Sequence, residues 1–223
     1  MSDATLPLPD ESGGGRFPGF DVMDQSKHWD DATLAVIGSR LHDLPHVRFF
    51  TPAEEATAKA VLDQLVGQQA APGEPNIDLV RMVDRRLAED ETDGWHYDTM
   101  PPDEQAWRDT LKALDEDAVA ESGSMFAESS WDNQHALLSS VQGGEGDEWH
   151  GMPRKAVWSL WTRYAATAFY SHPAAWNEIG FSGPAYPRGY KNIGVDKLEG
   201  YEVRDAHPQD NPVSGGHTSG SNS

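Results

Sequence analysis

Two groups of histidine and acidic residues have side chains that could bind a metal ion. His42 and His46 are four residues apart, a spacing that brings two imidazoles to one face of a helix. Pro45 interrupts the helix that would align them, which favours ordinary surface or capping roles for both. The second group, Asp147 to His150, mixes carboxylate and imidazole ligands in a glycine-rich loop, with no second group at a defined spacing. The sequence therefore predicts no metal site.

His172 is the candidate for acid–base chemistry. It stands before Pro173 at the end of a helical pattern, where it could cap the terminal carbonyl groups of that helix. Alternatively, His172, Asn177 and Glu178 point into a site shared with a partner. The chain has no Gly-x-Ser-x-Gly nucleophile elbow, and its many carboxylate pairs are typical of solvated helix faces. We therefore predict no catalytic residue.

Patterns for binding a redox cofactor are absent from the sequence. A dinucleotide site needs a glycine-rich turn between a strand and a helix, and Gly13 to Gly15 follow no predicted strand. There is no phosphate-binding loop pattern. The chain has no cysteine, which excludes disulfides, cysteine-ligated zinc, thiolate-held iron–sulfur clusters and Cys-x-x-Cys-His haem attachment. We expect no cofactor in this chain.

Composition excludes further classes of function. The 223 residues include 17 Lys and Arg against 37 Asp and Glu, and a net charge of −20 argues against binding to nucleic-acid phosphates. No apolar run approaches the ~18 residues of a membrane span. The first 19 residues lack the basic region and apolar stretch of a secretory leader. We therefore expect a cytoplasmic protein, or a periplasmic one if a partner carrying its own signal exports it.

The elements that must position these residues are helices. Apolar side chains at helical spacing predict five of them, starting near Thr51, Asn76, Pro101, Ser130 and Pro153. Residues 51–54 have the pattern of a capping box, and Val47 to Phe50 is the best candidate for a strand. The prediction is an all-α fold, a single helical domain of about five helices followed by a long C-terminal arm rich in Gly, Pro and aromatic residues.

Composition also predicts the boundaries of the folded domain and of its terminal segments. We predict a flexible N-terminal lead over residues 1–27, a helical domain over 28–205 that includes an interface arm over 171–205, and a disordered tail over 206–223.

Aromatic residues concentrate in the fifth helix and in the arm. On the helix they spread around more than one face, which is typical of a central helix or of one that also meets a partner. In the arm, Gly and Pro prevent a long helix or central strand, yet the side chains are too apolar for a solvated loop. The arm must therefore pack on its own domain or on a partner. Its enrichment in aromatic residues and Arg is typical of interface cores.

We predict eight residues of the arm as the partner interface. Four of them, Trp176, Tyr186, Arg188 and Tyr190, are expected to be anchors, because Trp, Tyr and Arg dominate interface energies. The full set is His172, Trp176, Asn177, Glu178, Phe181, Tyr186, Arg188 and Tyr190.

The arm also carries a specific resemblance. Residues 171–190 read Ser-His-Pro-Ala-Ala-Trp-Asn-Glu-Ile-Gly-Phe-Ser-Gly-Pro-Ala-Tyr-Pro-Arg-Gly-Tyr, and this string resembles the gluconate 2-dehydrogenase subunit 3 family. The order of the other elements is similar too, from Phe49-Phe50-Thr51-Pro52 before the first helix to the long aromatic helix before the arm. The resemblance covers about residues 47–206.

This resemblance implies a place in a complex. The partner would be a large FAD-binding flavoprotein of the glucose–methanol–choline (GMC) oxidoreductase type, which oxidises a sugar or sugar acid, and a cytochrome subunit is often present. The small subunit of such complexes has no redox centre and supports folding, stability and, in many members, export of the large subunit. We therefore expect a non-catalytic accessory subunit, with FAD in the partner. This chain does not show the twin-arginine leader of many members.

Two other functions stay open from the residues alone. The chain could be a chaperone-like interaction module with another client. It could also be a stand-alone enzyme, either metal-dependent or using His172 and Glu178 as acid and base. Within a complex, His172 and Arg188 are the candidates for side chains lent to the substrate pocket.

Overall fold

The structure is a computed structural model that describes residues 16–69, 76–95, 97–195 and 197–209. In these residues the fold is mostly helical, which confirms the predicted all-α class. The α-helices are α1 (Asp31–His42), α2 (Pro52–Val66), α3 (Leu79–Ala88), α4 (Asp103–Ser122), α5 (Trp131–Gly143), α6 (Arg154–Tyr170) and α7 (Pro173–Ile179). Short 3₁₀ helices cover Val22–His28 and Phe126–Glu128, and a two-residue antiparallel ladder pairs β1 (Glu148–Trp149) with β2 (Met152–Pro153).

The chain divides into two compact units. The first, here called the arm unit, comprises Met1–Asp43, Gln69–Ile77 and Tyr170–Ser223. The second, the helical unit, comprises Leu44–Gln68 and Asp78–Phe169. The predicted helical domain over residues 28–205 includes residues of both units. None of the helices in the described ranges is both long enough and apolar enough to cross a membrane.

The helical unit has a core of large side chains from several helices. Trp107 of α4 and Trp161 of α6 are completely buried, and the Trp161 indole donates to the Thr110 hydroxyl at 3.0 Å. That hydrogen bond satisfies the polar end of a ring whose body is apolar. Of the five aromatic residues on α6, Trp161, Tyr164 and Phe169 are buried. Among the other fully buried side chains of the unit are Tyr164, Phe126, Leu62, Leu79, Leu111, Leu114, Val61 and Val83.

A buried carboxylate on α3 fixes the segment that leads into α2. Asp84 is only 1% exposed, and one of its oxygens accepts from the Arg48 amide at 2.8 Å. The other accepts from the amides of Phe49 and Phe50, at 2.8 and 2.9 Å. Val47 to Phe50, the best candidate for a strand, therefore forms none, since the amides of Arg48, Phe49 and Phe50 donate to a side chain instead.

The next residues form the predicted capping box. The Thr51 hydroxyl accepts from the Glu54 amide at 3.3 Å, and the Glu54 carboxylate accepts from the Thr51 amide at 2.8 Å. Arg108 of α4 donates to both Glu54 oxygens at 2.7 Å, and to the Phe49 carbonyl at 2.7 Å. Against the effect of burial, the hydrogen bonds from Thr51 and Arg108 lower the pKa of Glu54. The start of α2 is thus joined to α3 through Asp84 and to α4 through Arg108.

The arm unit has its own apolar cluster. Val22, Trp29, Ile37 and Trp176 are buried together, and they come from the 3₁₀ helix Val22–His28, its C-cap, α1 and α7. Val22, which falls within the predicted flexible lead over residues 1–27, is a buried core residue. Residues 1–15 and 210–223, which fall in the predicted lead and tail, lie outside the described residues.

His172 caps α7 at its N-terminus. Its Nδ1 accepts from the Ala174 amide at 3.2 Å, so this ring nitrogen carries no proton. The sequence suggested a cap on the preceding helix, and the structure places His172 at the N-cap of α7, which starts at Pro173. Burial, and then the positive charge of Arg40, lower the pKa of His172. Both effects favour the neutral ring that the cap requires.

We predict that Asp84→Asn destabilises the chain by about 2–4 kcal/mol, because an amide offers one acceptor oxygen and turns two donors toward three amide groups. Chemical denaturation with urea measures the change in unfolding free energy. Asp98→Asn, the same substitution at an exposed position of the helical unit, is the control and should change it by less than about 0.5 kcal/mol. Equal effects of the two substitutions would contradict the role of Asp84.

We also predict that acidification below about pH 6.5 costs stability through His172. The pKa of His172 in the folded chain lies below its value in the unfolded chain, so the unfolded state binds more protons as the pH falls. In His172→Asn the amide oxygen can still accept from the Ala174 amide but does not titrate. Thermal melts at about pH 7.5 and 5.5 should therefore show a smaller loss of melting temperature for the variant. Identical losses would refute this assignment.

Candidate partner-binding site

The arm comprises residues 171–205 and starts with α7. Two residues of α7, Trp176 and Asn177, hold it to the rest of the arm unit. Trp176 is 5% exposed, and its indole donates to the Tyr170 carbonyl at 2.7 Å. The Asn177 side-chain oxygen accepts from the Val22 amide at 2.8 Å. These two predicted interface residues therefore have structural roles inside this chain.

Two glycines let the chain pass closely over aromatic rings after α7. Gly180 has φ of 67°, and a Cβ there would lie 2.3 Å from the Phe17 ring. Gly183 has φ of 76°, and a Cβ there would lie 2.5 Å from the Trp29 ring. Both positions combine a left-handed backbone with a contact that excludes any side chain. The Gly-Phe-Ser-Gly part of the sequence is thus required by the packing of the arm.

Arg188 holds the middle of the arm through a hydrogen bond and a stacking contact. One terminal nitrogen donates to the Gln25 side chain at 2.9 Å, and the guanidinium carbon lies 3.7 Å from the centre of the Tyr201 ring. The Tyr201 hydroxyl in turn donates to the Gly189 carbonyl at 3.1 Å. A stacked guanidinium uses its planar, weakly hydrated face in a way that lysine does not reproduce. Arg188 thus joins the arm to the 3₁₀ helix Val22–His28 and to its own C-terminal part.

Glu199 closes the last loop of the arm. It is 8% exposed and accepts from the amides of Lys191 and Asn192. The Asn192 side chain donates back to the Leu198 carbonyl at 3.1 Å. Beyond this loop, the Ala206 amide donates to the Arg16 carbonyl at 2.7 Å, which ties the end of the arm to the start of the described chain. The arm backbone is therefore held along its length by bonds within the arm unit.

The side chains that point outward from this backbone are predominantly apolar. Tyr186 is 65% exposed, and Phe181 and Tyr190 are exposed as well. Four further exposed apolar residues lie outside the predicted interface set, although their apolar type within a glycine-rich stretch was a usable signal. They are Ile179, Ile193, Val195 and Leu198. An apolar surface on a fixed backbone suits the binding of a protein rather than bond-making chemistry.

Two of the three polar residues suggested for a site shared with a partner make local hydrogen bonds. His172 accepts from the Ala174 amide, and Asn177 from the Val22 amide. Glu178, the third member of that set, is partly exposed on α7. Two of the three are thus explained by the way α7 is capped and held.

The histidines considered as metal ligands do not share a helix face. α1 ends at His42, so His46 lies outside that helix. His150 instead contacts Asp117 of α4 at 2.8 Å, beside the Trp149 indole, which donates to the other Asp117 oxygen at 2.7 Å. In the part of the chain that the structure describes, no three acidic or histidine side chains are placed to hold a metal ion.

In a comparison with known families, residues 52–183 match the model of gluconate 2-dehydrogenase subunit 3. The matched range runs from the start of α2 through α7 to Gly183, at the turn that presses against Trp29. Comparison with curated proteins and with solved structures gives no match. The family match covers more than half of the chain and confirms the resemblance inferred from the arm. The chain belongs to the gluconate 2-dehydrogenase subunit 3 family, and a subunit family implies a partner in a dehydrogenase complex.

Proposed function

We propose that this chain is the non-catalytic accessory subunit of a dehydrogenase complex whose large subunit is an FAD-binding, GMC-type flavoprotein. In this proposal the chain supports folding, stability and assembly of that subunit, and the flavin belongs to the partner. Family membership supports the subunit role. The observation that carries the docking proposal is the set of exposed apolar side chains on the outward side of the arm.

Between residues 179 and 198, seven described apolar side chains are at least 36% exposed, within only twenty residues of chain. Single exposed apolar residues are ordinary on protein surfaces, but this density is typical of a surface that a partner covers. The three aromatic ones, Phe181, Tyr186 and Tyr190, are residue types enriched in interface cores. We assign these three to direct contact with the large subunit.

The inward residues serve the same interface indirectly. Trp176, Arg188 and Glu199 hold the arm backbone before any partner binds. A surface that is already ordered loses less conformational entropy on association than a loop that must fold onto its partner. Trp176 and Arg188 are accordingly positioning residues, and they contribute to binding through the shape of the arm.

The proposal is tested by producing the chain with and without a GMC-type flavoprotein from the same genome. An obligate interface of this kind buries on the order of 2,000 Å² or more, so the separate chain should aggregate or melt at a lower temperature than the complex. Co-purification and a raised melting temperature are the expected results. A fully soluble chain with an unchanged melting temperature in the presence of the flavoprotein would refute the proposal.

We predict that Tyr186→Ala and Tyr190→Ala each weaken assembly by about 30-fold or more, the loss expected for an interface anchor worth about 2 kcal/mol. Because both side chains are more than half exposed, the melting temperature of the chain alone should not change. Binding is measured by titrating the flavoprotein onto the immobilised chain. Tyr97→Ala, at an exposed tyrosine of the helical unit, is the matched control. Assembly that tolerates Tyr186→Ala as well as Tyr97→Ala would contradict the assignment.

We further predict that Arg188→Ala weakens assembly and leaves the KM for the sugar substrate of the assembled complex unchanged. Arg188→Lys should produce a similar deficit, since it keeps the charge but loses the planar stacking on Tyr201. Steady-state kinetics on the purified complex separates an effect on binding of the sugar substrate from an effect on assembly of the two subunits. A raised KM with normal assembly would instead place Arg188 in the substrate pocket.

A further inference from the structure

A groove of about 690 Å³ lies in the helical unit, between the start of α2 and the outer side of α4. Its walls come from residues 51–54, from α4 between Arg108 and Ala120, and from Met125. Every one of these residues belongs to the helical unit, and none belongs to the arm. The groove is therefore a feature separate from the surface assigned above.

Part of the apolar lining of the groove is exposed to solvent. Val119 is 46% exposed and Met125 is 38% exposed, and they line the groove together with Leu111 and Ala120. Burying such side chains against a ligand is favourable, at roughly 25 cal/mol per Å² of apolar surface removed from water. An occupant should therefore present apolar side chains to this part.

The charged part of the groove has an excess of acidic groups. Glu54 is bonded to Arg108, and Glu116 lies 3.6 Å from Lys112, so these carboxylates already have basic partners. Two further carboxylates, Asp109 and Asp115, complete the lining and leave it with four acidic against two basic side chains.

Asp115 is the carboxylate that most clearly lacks a positive partner. It accepts from the Thr57 hydroxyl and from the Phe126 amide, each at 3.1 Å, and both donors are neutral. Among the described basic residues, none lies within ion-pair distance of it. Burial raises the pKa of Asp115, which is the direction expected of a carboxylate that has lost water without gaining a cation. A positive group entering the groove would supply that cation.

The segments of this chain outside the described ranges do not carry the positive charge that such an occupant needs. Residues 1–15 contain three acidic and no basic side chains, and residues 210–223 contain one acidic residue and one histidine. Residues 70–75 contain one acidic residue and no basic one. A second copy of the chain brings a net charge of −20 and is repelled in the same way.

We infer that this groove is a second docking site, and that it takes a segment of a partner protein that combines Lys or Arg with apolar residues. The apolar side chains of that segment would cover Val119 and Met125, and its cation would reach the unpaired Asp115. The inference goes beyond the proposed function, since it concerns a different unit and does not depend on which protein binds the arm.

The test uses the full-length chain and a short fluorescent peptide that carries Leu and Lys at helical spacing. Its counterpart, with Glu in place of each Lys, is the control ligand, and anisotropy measures the affinity of both. Val119→Lys should weaken binding of the Lys peptide about tenfold or more, because it puts a positive charge on the groove wall. Lys112→Glu should tighten binding several-fold. Since both positions are exposed, thermal melts should show that the variants fold.

Val36→Lys provides the decisive control, because it makes the same substitution at an exposed valine of α1. It should change the affinity by less than about twofold, and so should Tyr186→Ala in the arm. Equal effects of Val119→Lys and Val36→Lys would show attraction to the net charge only, and would overturn the inference. So would equal binding of the Glu peptide, loss of binding in Tyr186→Ala, or self-association of the chain that Val119→Lys abolishes. A flavoprotein that failed to bind the arm would leave all of these measurements unchanged.

Discussion

The burial of Trp176 is the interaction on which the account of this protein depends. Its ring lies in a cluster with Val22, Trp29 and Ile37, so one side chain anchors α7 to both earlier elements of the arm unit. A segment this rich in Gly and Pro has few backbone hydrogen bonds of its own to fix its shape. With Trp176 in place, the bonds of Arg188 and Glu199 act on a chain that is already positioned, and the exposed tyrosines are presented in a defined arrangement.

The helical unit is organised by polar groups that the core alone would not require. Asp84 gathers three amides before α2, and Arg108 joins Glu54 to the Phe49 carbonyl. These bonds set where α2 starts relative to α3 and α4. Because Glu54 and Arg108 also line the groove of the helical unit, the same bonds help to shape it. Each unit thus has an internal fixed framework and a separate exposed apolar surface, an arrangement suited to a subunit that contacts more than one segment of its partners.

Local sequence determines some of these features and tertiary packing the others. The capping box at Thr51 and the helices with a continuous apolar stripe could be predicted, because their signals lie within a few residues. α1 was missed since Ile37 is its only buried residue, and α7 because it spans only seven residues between Pro and Gly. Nor could the sequence show that Asp84 faces inward or that Trp176 is buried and Tyr186 exposed, because the partners are distant in sequence and the arm has no periodicity.

The central claim is that the outward side of the arm is covered by the large subunit. Since the chain has no cysteine, a single Tyr186→Cys substitution gives one reactive thiol whose rate of maleimide labelling reports exposure. The account predicts rapid labelling in the separate chain and strong protection in the assembled complex, while a thiol introduced by Tyr97→Cys stays reactive in both. Equally rapid labelling of the Tyr186→Cys thiol in the chain and in the complex would contradict it.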